Sequence, residues 1–268
     1  MHAEILSCLS LIDRSIVFAD FKYPEFALGL RSRNVVDLAA AEKIRNDCRM
    51  LKAEILHPAH VAYPSEFSLL EKPPLFMSLV GSAVWKERPC LSIVGSREPK
   101  VESLEWMDIH LAGFLKRHPK TVVVSGGARG IDRRAHLCSL RAELPTVVFL
   151  PSGIGNPYPN DIREFFEPVI ESGGAIVSPF SPFQEVRKRS FEDRNRLIAA
   201  MGSALFVVEG RRRSGSLMTA RLAIELGREV AVLPGFPGDR GSAGVLDLLC
   251  DGATPIRDEM DLSTFVSR

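Results

Sequence analysis

From Cys90 onward six short apolar runs recur, each separated from the next by enough chain for one helix: Cys90–Val94, Thr121–Val124, Thr146–Leu150, Ala175–Val177, Ala204–Val208 and Glu229–Leu233. They are rich in Val and Ile and mostly apolar throughout instead of alternating, which is the pattern of parallel strands covered on both faces. Between the first two, Leu104, Met107, Leu111 and Leu115 repeat at spacings of three and four and give one buried helical face. Asp132–Glu143, Asp161–Ser172, Asp193–Met201 and Ser216–Gly227 read as further helices. Strand and helix alternating in this way predict an α/β fold with a doubly wound, mostly parallel sheet.

The first 52 residues read differently. Leu6, Leu9, Leu11 and Ile12 form one apolar face and the segment from Val35 to Leu51 another, so short helices are expected. The turn signals from His57-Pro58 through Tyr63-Pro64 to Pro73-Pro74 predict a connector or extended edge and no helix. Leu75–Val80 follows as a short strand. The division expected is a small helical N-terminal domain, residues 1–56, and a larger domain, residues 57–268.

Charge narrows the function only locally. With 34 basic and 33 acidic side chains the net charge is +1, yet arginines cluster at 129, 133 and 134, at 187 and 189 beside Lys188, at 194 and 196, and at 211–213. The bland reading of any one cluster is a solvated surface; a nucleic-acid binder concentrates its basic residues in this way. Five cysteines are scattered without metal-ligand spacing, so no metal site is expected and a reducing compartment is. No apolar run reaches membrane-spanning length and no secretory signal is visible, so a cytoplasmic protein without membrane contact is expected.

Ligands of doubly wound sheets bind outside the carboxyl ends of the strands. Four unusual segments fall there: Gly95-Ser96-Arg97, Ser125 to Asp132, Glu209 to Ser216, and Pro234-Gly235. In Ser125-Gly126-Gly127-Ala128-Arg129-Gly130-Ile131-Asp132, the glycines permit close backbone approach. The helix that follows offers unpaired N–H groups to an anion, and Arg129 adds a second donor. This is neither GxGxxG nor a P-loop, so a nicotinamide cofactor or an ATPase has weak support and no cofactor is expected. Ser214-Gly215-Ser216 repeats the design, with Ser216 as a candidate helix cap. Arg97 after its strand end reads as a phosphate ligand, and Arg194, Asn195 and Arg196 sit at an expected helix start with Asp193 as its cap. Such a series of anion sites suits a strand backbone better than one nucleotide. Catalytic groups are thin. His136, one turn after Asp132, and Glu209 are the two candidates, each more simply structural.

Several of these motifs, in order, resemble the DNA-processing protein A (DprA/Smf) family. They are Ser125 through His136, Tyr158-Pro159, Arg194-Asn195-Arg196 with Ala199, Ser214 through Ala223, Val232 with Pro234-Gly235, and Asp251-Gly252-Ala253; the entry at Tyr63-Pro64 and Pro73-Pro74-Leu75 also agrees. The resemblance spans about residues 57–254. It implies an extended Rossmann-like domain that binds and protects single-stranded DNA, loads the recombinase RecA during natural transformation, forms a homodimer, and acts as a binder and loader and not as an enzyme. It assigns DNA contact to Gly95, Ser96, Arg97, Ser125, Gly126, Arg129, Gly130 and Ser214–Ser216, with Arg194 and Arg196 matching the family's basic helix start. Pro179 stands where a glutamate is common, Leu246 where an asparagine is, and residues 1–56 resemble only a degenerate SAM or helix-hairpin module. The chain ends soon after Asp251, so no C-terminal winged helix is expected. The competing class is a nucleotide-binding sensor or phosphoribohydrolase on a related fold. Its Pro-Gly-Gly-x-Gly-Thr run is missing, since Phe236-Pro237 follows Pro234-Gly235.

Overall fold

A computed structural model describes residues 2–11 and 38–267. Ile12 and residues 35–37, which the sequence placed on apolar helical faces, lie outside the described residues. Two N-terminal helices, α1 (His2–Ser10) and α2 (Leu38–Met50), precede a nine-stranded sheet. Its strands are β1 (Glu54–Leu56), β2 (Met77–Gly81), β3 (Cys90–Val94), β4 (Val122–Ser125), β5 (Thr146–Phe149), β6 (Ala175–Ser178), β7 (Ala204–Val207), β8 (Glu229–Val232) and β9 (Thr254–Pro255). The spatial order is 1-2-6-5-4-3-7-8-9, parallel from β6 to β9, with β2 antiparallel to β6 and β1 antiparallel to β2. The expected doubly wound, mostly parallel architecture is therefore present. The six predicted strands occur within one residue of their expected bounds at each end.

The helices that cover the sheet are α3 (Val101–Trp106), α4 (Ala112–Arg117), α5 (Ile131–Arg141), α6 (Phe166–Glu171), α7 (Lys188–Met201), α8 (Gly215–Glu225), α9 (Ala243–Cys250) and α10 (Glu259–Val266). A π-helical stretch, Met107–Leu111, joins α3 to α4. The strands alternate between two layers of core, as a period of two requires. Val122, Val124, Leu205 and Val207 pack with the inner faces of α7 and α8, while Val123, Ile93 and Phe206 pack beneath the 101–117 segment and α5.

Four local expectations are corrected. The proline-rich connector contains a 3-10 helix, Ser65–Leu69, held by the buried Phe67. The helix expected from Asp161 begins as a 3-10 helix, Asn160–Phe165, and becomes α-helical only at Phe166. Pro168 has no N–H, and its ring would meet the carbonyl four residues earlier in a continuous α-helix. The helix expected from Asp193 starts five residues earlier, at Lys188, so Asp193 lies inside it and does not cap it. Its start is closed by a reciprocal arrangement in which the Arg187 backbone N–H donates to Ser190 Oγ. Finally, the sheet begins within the first 56 residues, because β1 pairs with β2. The N-terminal helices share a core with it: Cys8, Leu9, Ala41 and Cys48 pack in one cluster with Val148, Leu150 and Ile176.

Candidate functional site

The strand order reverses at β3, which has β4 on one side and β7 on the other. Crevices open at such switch points, outside the carboxyl ends of the strands. Two connected clefts occupy this place. The narrower, about 430 Å³, lies between the turns after β3 and β7 and is lined by Ser96, Arg97, Asn195, Arg213, Ser214 and Ser216, among others. The wider, about 760 Å³, runs over β4 and β5 past Gly126, Arg129, Tyr158, Asn160 and Asp161. Arg97, Glu98, Ala128, Phe191 and Arg194 line both, so the two form one groove.

The Ser125–Asp132 turn is built differently from the expectation. Ser125 is fully buried and its hydroxyl donates to the Ile93 carbonyl at 2.6 Å, so that hydroxyl is committed inside the protein. The backbone N–H groups of Ala128 and Gly126 point at the Asp132 carboxylate, with Ala128 N 3.4 Å away. The turn's amides are thus already engaged, by a carboxyl group of the protein's own. Burial pushes the Asp132 carboxyl up, against the pull of Arg194 and the two amides. Arg194 is itself 4% exposed. Its Nη1 lies 4.0 Å from Asp132 Oδ2 and donates to the Phe149 carbonyl at 3.4 Å, while its Nε has no partner among the described residues. Desolvation lowers this guanidinium to about 10, still charged at neutral pH. Gly126 is required here because a Cβ would occupy the place of Arg194 Nη1. Gly130, at φ +85°, lets the turn approach Gly95-Ser96 so closely that Ile131 N–H donates to Ser96 O at 3.1 Å.

Free anion-seeking groups are concentrated elsewhere in the groove. Arg97 is exposed, has no ion-pair partner among the described residues, and lies 5.0 Å over the Phe191 ring. Tyr158 packs edge-on against the same ring at 5.9 Å. These two aromatic rings were not among the sequence-predicted contacts; their signal is an aromatic residue beside each basic or turn motif, the interleaving that nucleobases stack on. At the start of α8, Gly215 and Ser216 present first-turn N–H groups, which a helix leaves unpaired. A Cβ on Gly215 would meet only Asn195 Nδ2, at 3.6 Å. The cap is Ser214, which accepts from Leu217 N–H at 3.3 Å, in place of the expected Ser216. Ser214→Ala should therefore cost about 1 kcal/mol in thermal or urea unfolding, and Ser216→Ala clearly less.

Other candidates are resolved by their partners. Arg196 is exposed but lines neither cleft: two residues from Arg194, it lies about 200° round the helix. Arg129 reaches the wider cleft but is paired with Asp161 at 3.2 Å. In the other runs, Arg134 is held by Asp108 and Arg212 by Asp247, each at 2.7 Å, whereas Arg213 has no ion-pair partner among the described residues. His136 is fully buried against Thr146 Oγ1 at 2.7 Å, which in turn donates to the Val123 carbonyl, and burial lowers it to about 3. A neutral, enclosed imidazole braces helix against strand and has no route to a substrate. Glu209 accepts from the Lys100 N–H and the Ser103 hydroxyl, each at 3.0 Å, so it caps α3 and orders none of the arginines that follow it.

A model of the family described as DNA recombination-mediator protein A matches residues 54–267. Protein Smf of Synechocystis is 32% identical over 213 residues, covering 78% of this chain and 53% of that protein. The chain thus spans about half the length of that relative. A solved structure of DNA processing protein A from Streptococcus pneumoniae superposes with a TM-score of 0.74 at 24% identity, over 98% of this chain and 93% of that one. Another, of DNA processing protein A from Helicobacter pylori and described as giving insight into that protein's single-stranded DNA binding mode, has a TM-score of 0.71 at 27% identity, over 81% and 96%.

Proposed function

The chain belongs to the DNA recombination-mediator protein A family, and on that premise we propose that it binds single-stranded DNA along the groove above β3, β4, β5 and β7. One observation carries the reading: Arg97, without an ion-pair partner among the described residues, sits where the two clefts meet, with the α8 N-terminus on one side and Arg129 on the other. Anion-seeking groups strung along a groove fit a chain of phosphates. The Tyr158–Phe191 pair beside them offers faces for bases, and base stacking tolerates any sequence. The Helicobacter relative's described mode of binding supports the same ligand. In this reading Ser96, Arg97, Arg129, Arg213 and the Ser214–Ser216 turn meet phosphate. Gly95, Gly126 and Gly130 allow the close approaches, Asn195 steadies the α8 start, and Arg194 holds the floor.

The wider role follows the family resemblance. We propose that the protein protects incoming DNA and hands it to the recombinase RecA during transformation, in the cytoplasm, as a homodimer assembled through the Rossmann-like domain, and that it acts as a binder and not as an enzyme. Among the described residues no helix is long and apolar enough to cross a membrane. Residues 57–268, with β1 continuing their sheet, would form the DNA-binding domain, and the two N-terminal helices its attachment.

The test is a gel shift with an oligo-dT strand and its duplex at two salt concentrations. Three arginine contacts to a single strand imply a slope of log K against log salt near −2, roughly a twentyfold loss of affinity for a fourfold rise in salt. Equal or tighter binding of the duplex, or binding indifferent to salt, would overturn the proposal. Release of free base from nucleoside monophosphates would favour the phosphoribohydrolase class instead.

A further inference from the structure

The wider cleft contains a carboxylate at the place where a phosphate would be most welcome. Asp161 lies at its rim, on the 3-10 segment that follows Pro159. Its Oδ2 accepts from Arg129 Nε at 3.2 Å and from Arg133 Nη1 at 2.9 Å, and its Oδ1 accepts from Arg133 Nη2. Arg133 is fixed from behind as well, with its guanidinium 5.7 Å from the Phe165 ring. Arg129 is the outer member, its side chain 71% exposed. One carboxylate thus holds two guanidinium groups in a bidentate and a monodentate contact, the geometry in which a phosphate oxygen pair would bind them.

We infer that Asp161 is a built-in competitor for the DNA backbone at Arg129, a residue that sets how far along the groove a strand is gripped. This rests on the strand-binding reading above. A phosphate entering the wider cleft has to displace Asp161 from Arg129, and the cost of opening that ion pair is subtracted from its binding. A strand held only in the narrow cleft, at Arg97 and the α8 start, opens nothing. Asp161 therefore weakens the second half of the grip while leaving the first intact. Acidification in the ordinary range does not release it, because the Arg133 hydrogen bonds hold this carboxyl down at about 2. Only another anion can take its place.

The experiment is the affinity of the full chain for a twenty-nucleotide oligo-dT, by fluorescence anisotropy, for wild type, Asp161→Asn, Asp161→Ser, Glu98→Gln and Arg129→Ala, and for Asp161→Asn combined with Arg129→Ala. Glu98 also lines the groove but lies 3.9 Å from Arg211, so it controls for the loss of any one negative charge. An exposed ion pair is worth up to about 1 kcal/mol, so both Asp161 variants should bind two- to fivefold tighter than wild type. The gain should exceed that of Glu98→Gln and should disappear in the Arg129→Ala background. Asp161 variants that bind no tighter than wild type, with melting temperatures unchanged, would overturn the inference and leave strand binding standing. So would a gain equal to that of Glu98→Gln, or one that persists without Arg129. If wild type itself fails to bind the oligonucleotide, the strand-binding reading falls, and this inference with it.

Discussion

Replacing Arg194 by methionine should lower the stability of the fold by about 3–5 kcal/mol, because it strands the Asp132 carboxylate in a buried place without its cation. Methionine keeps much of the volume under Gly126, so the loss is electrostatic more than steric. The sign of its pH dependence follows from the direction of the Asp132 shift. Burial already raises that carboxyl, and Arg194 is the chief influence holding it down. Without Arg194 the folded-state pKa rises further above the unfolded one. An acid raised in this way favours folding below its unfolded pKa, and the advantage drains away as pH climbs through the folded value. The Arg194→Met penalty should accordingly be largest near neutrality and shrink on acidification. Urea midpoints at two pH values measure it, and adding Asp132→Asn should recover much of the loss. A variant that unfolds with wild type at neutral pH would show that the two charges are not compensating one another.

Reversing Arg97 to glutamate acts on binding instead. The side chain is exposed, carries no ion pair among the described residues and borders both clefts, so any strand lying in the groove passes it. Loss of a charge-assisted contact worth 1.5–3 kcal/mol implies affinity about ten- to a hundredfold weaker. The loss should be alike for oligo-dT, oligo-dA and oligo-dC, since phosphate contacts do not read bases. Folding stability should stay within about 0.5 kcal/mol of wild type, as is usual at an exposed site. Arg196→Glu, on the far side of the same helix, is the internal comparison and should move affinity no more than about twofold. Equal losses at 97 and 196 would mean that a diffuse field attracts the DNA and that the groove has no special part.

The architecture was legible because buried parallel strands are apolar on both faces, so Cys90–Val94 and its successors stand out against their surroundings. β1 was not, since three residues carry no periodicity. The start of α7 was misplaced because the sequence signal sought there, a capping Asp193, is weaker than what closes the helix, a Ser190 side chain reaching back to the Arg187 backbone. At the site, the sequence located the turns but could not say which groups in them were free. Arg129, Arg133 and Arg134 read as one basic run. Their carboxylate partners, Asp161 and Asp108, come from segments 26 to 32 residues away that only the fold brings near. The glycine turn likewise read as an anion site without its own Asp132 as the occupant. Periodicity reports what is buried; charge compensation across the fold is written in no local pattern.

The borders of the sheet carry a consequence for assembly. An open sheet with a long, bare outer strand can be continued by another molecule, strand upon strand, and such continuation has no natural stopping point. Here one margin is β1, three residues long, and the other is β9, two residues ending in Pro255, which has no N–H to give. Among the described residues neither margin offers a template of more than two or three rungs. The molecule can hold seven parallel strands in register and still be a poor seed for fibrils. Among the described residues, a second copy that continued the sheet at either margin would gain only those few rungs.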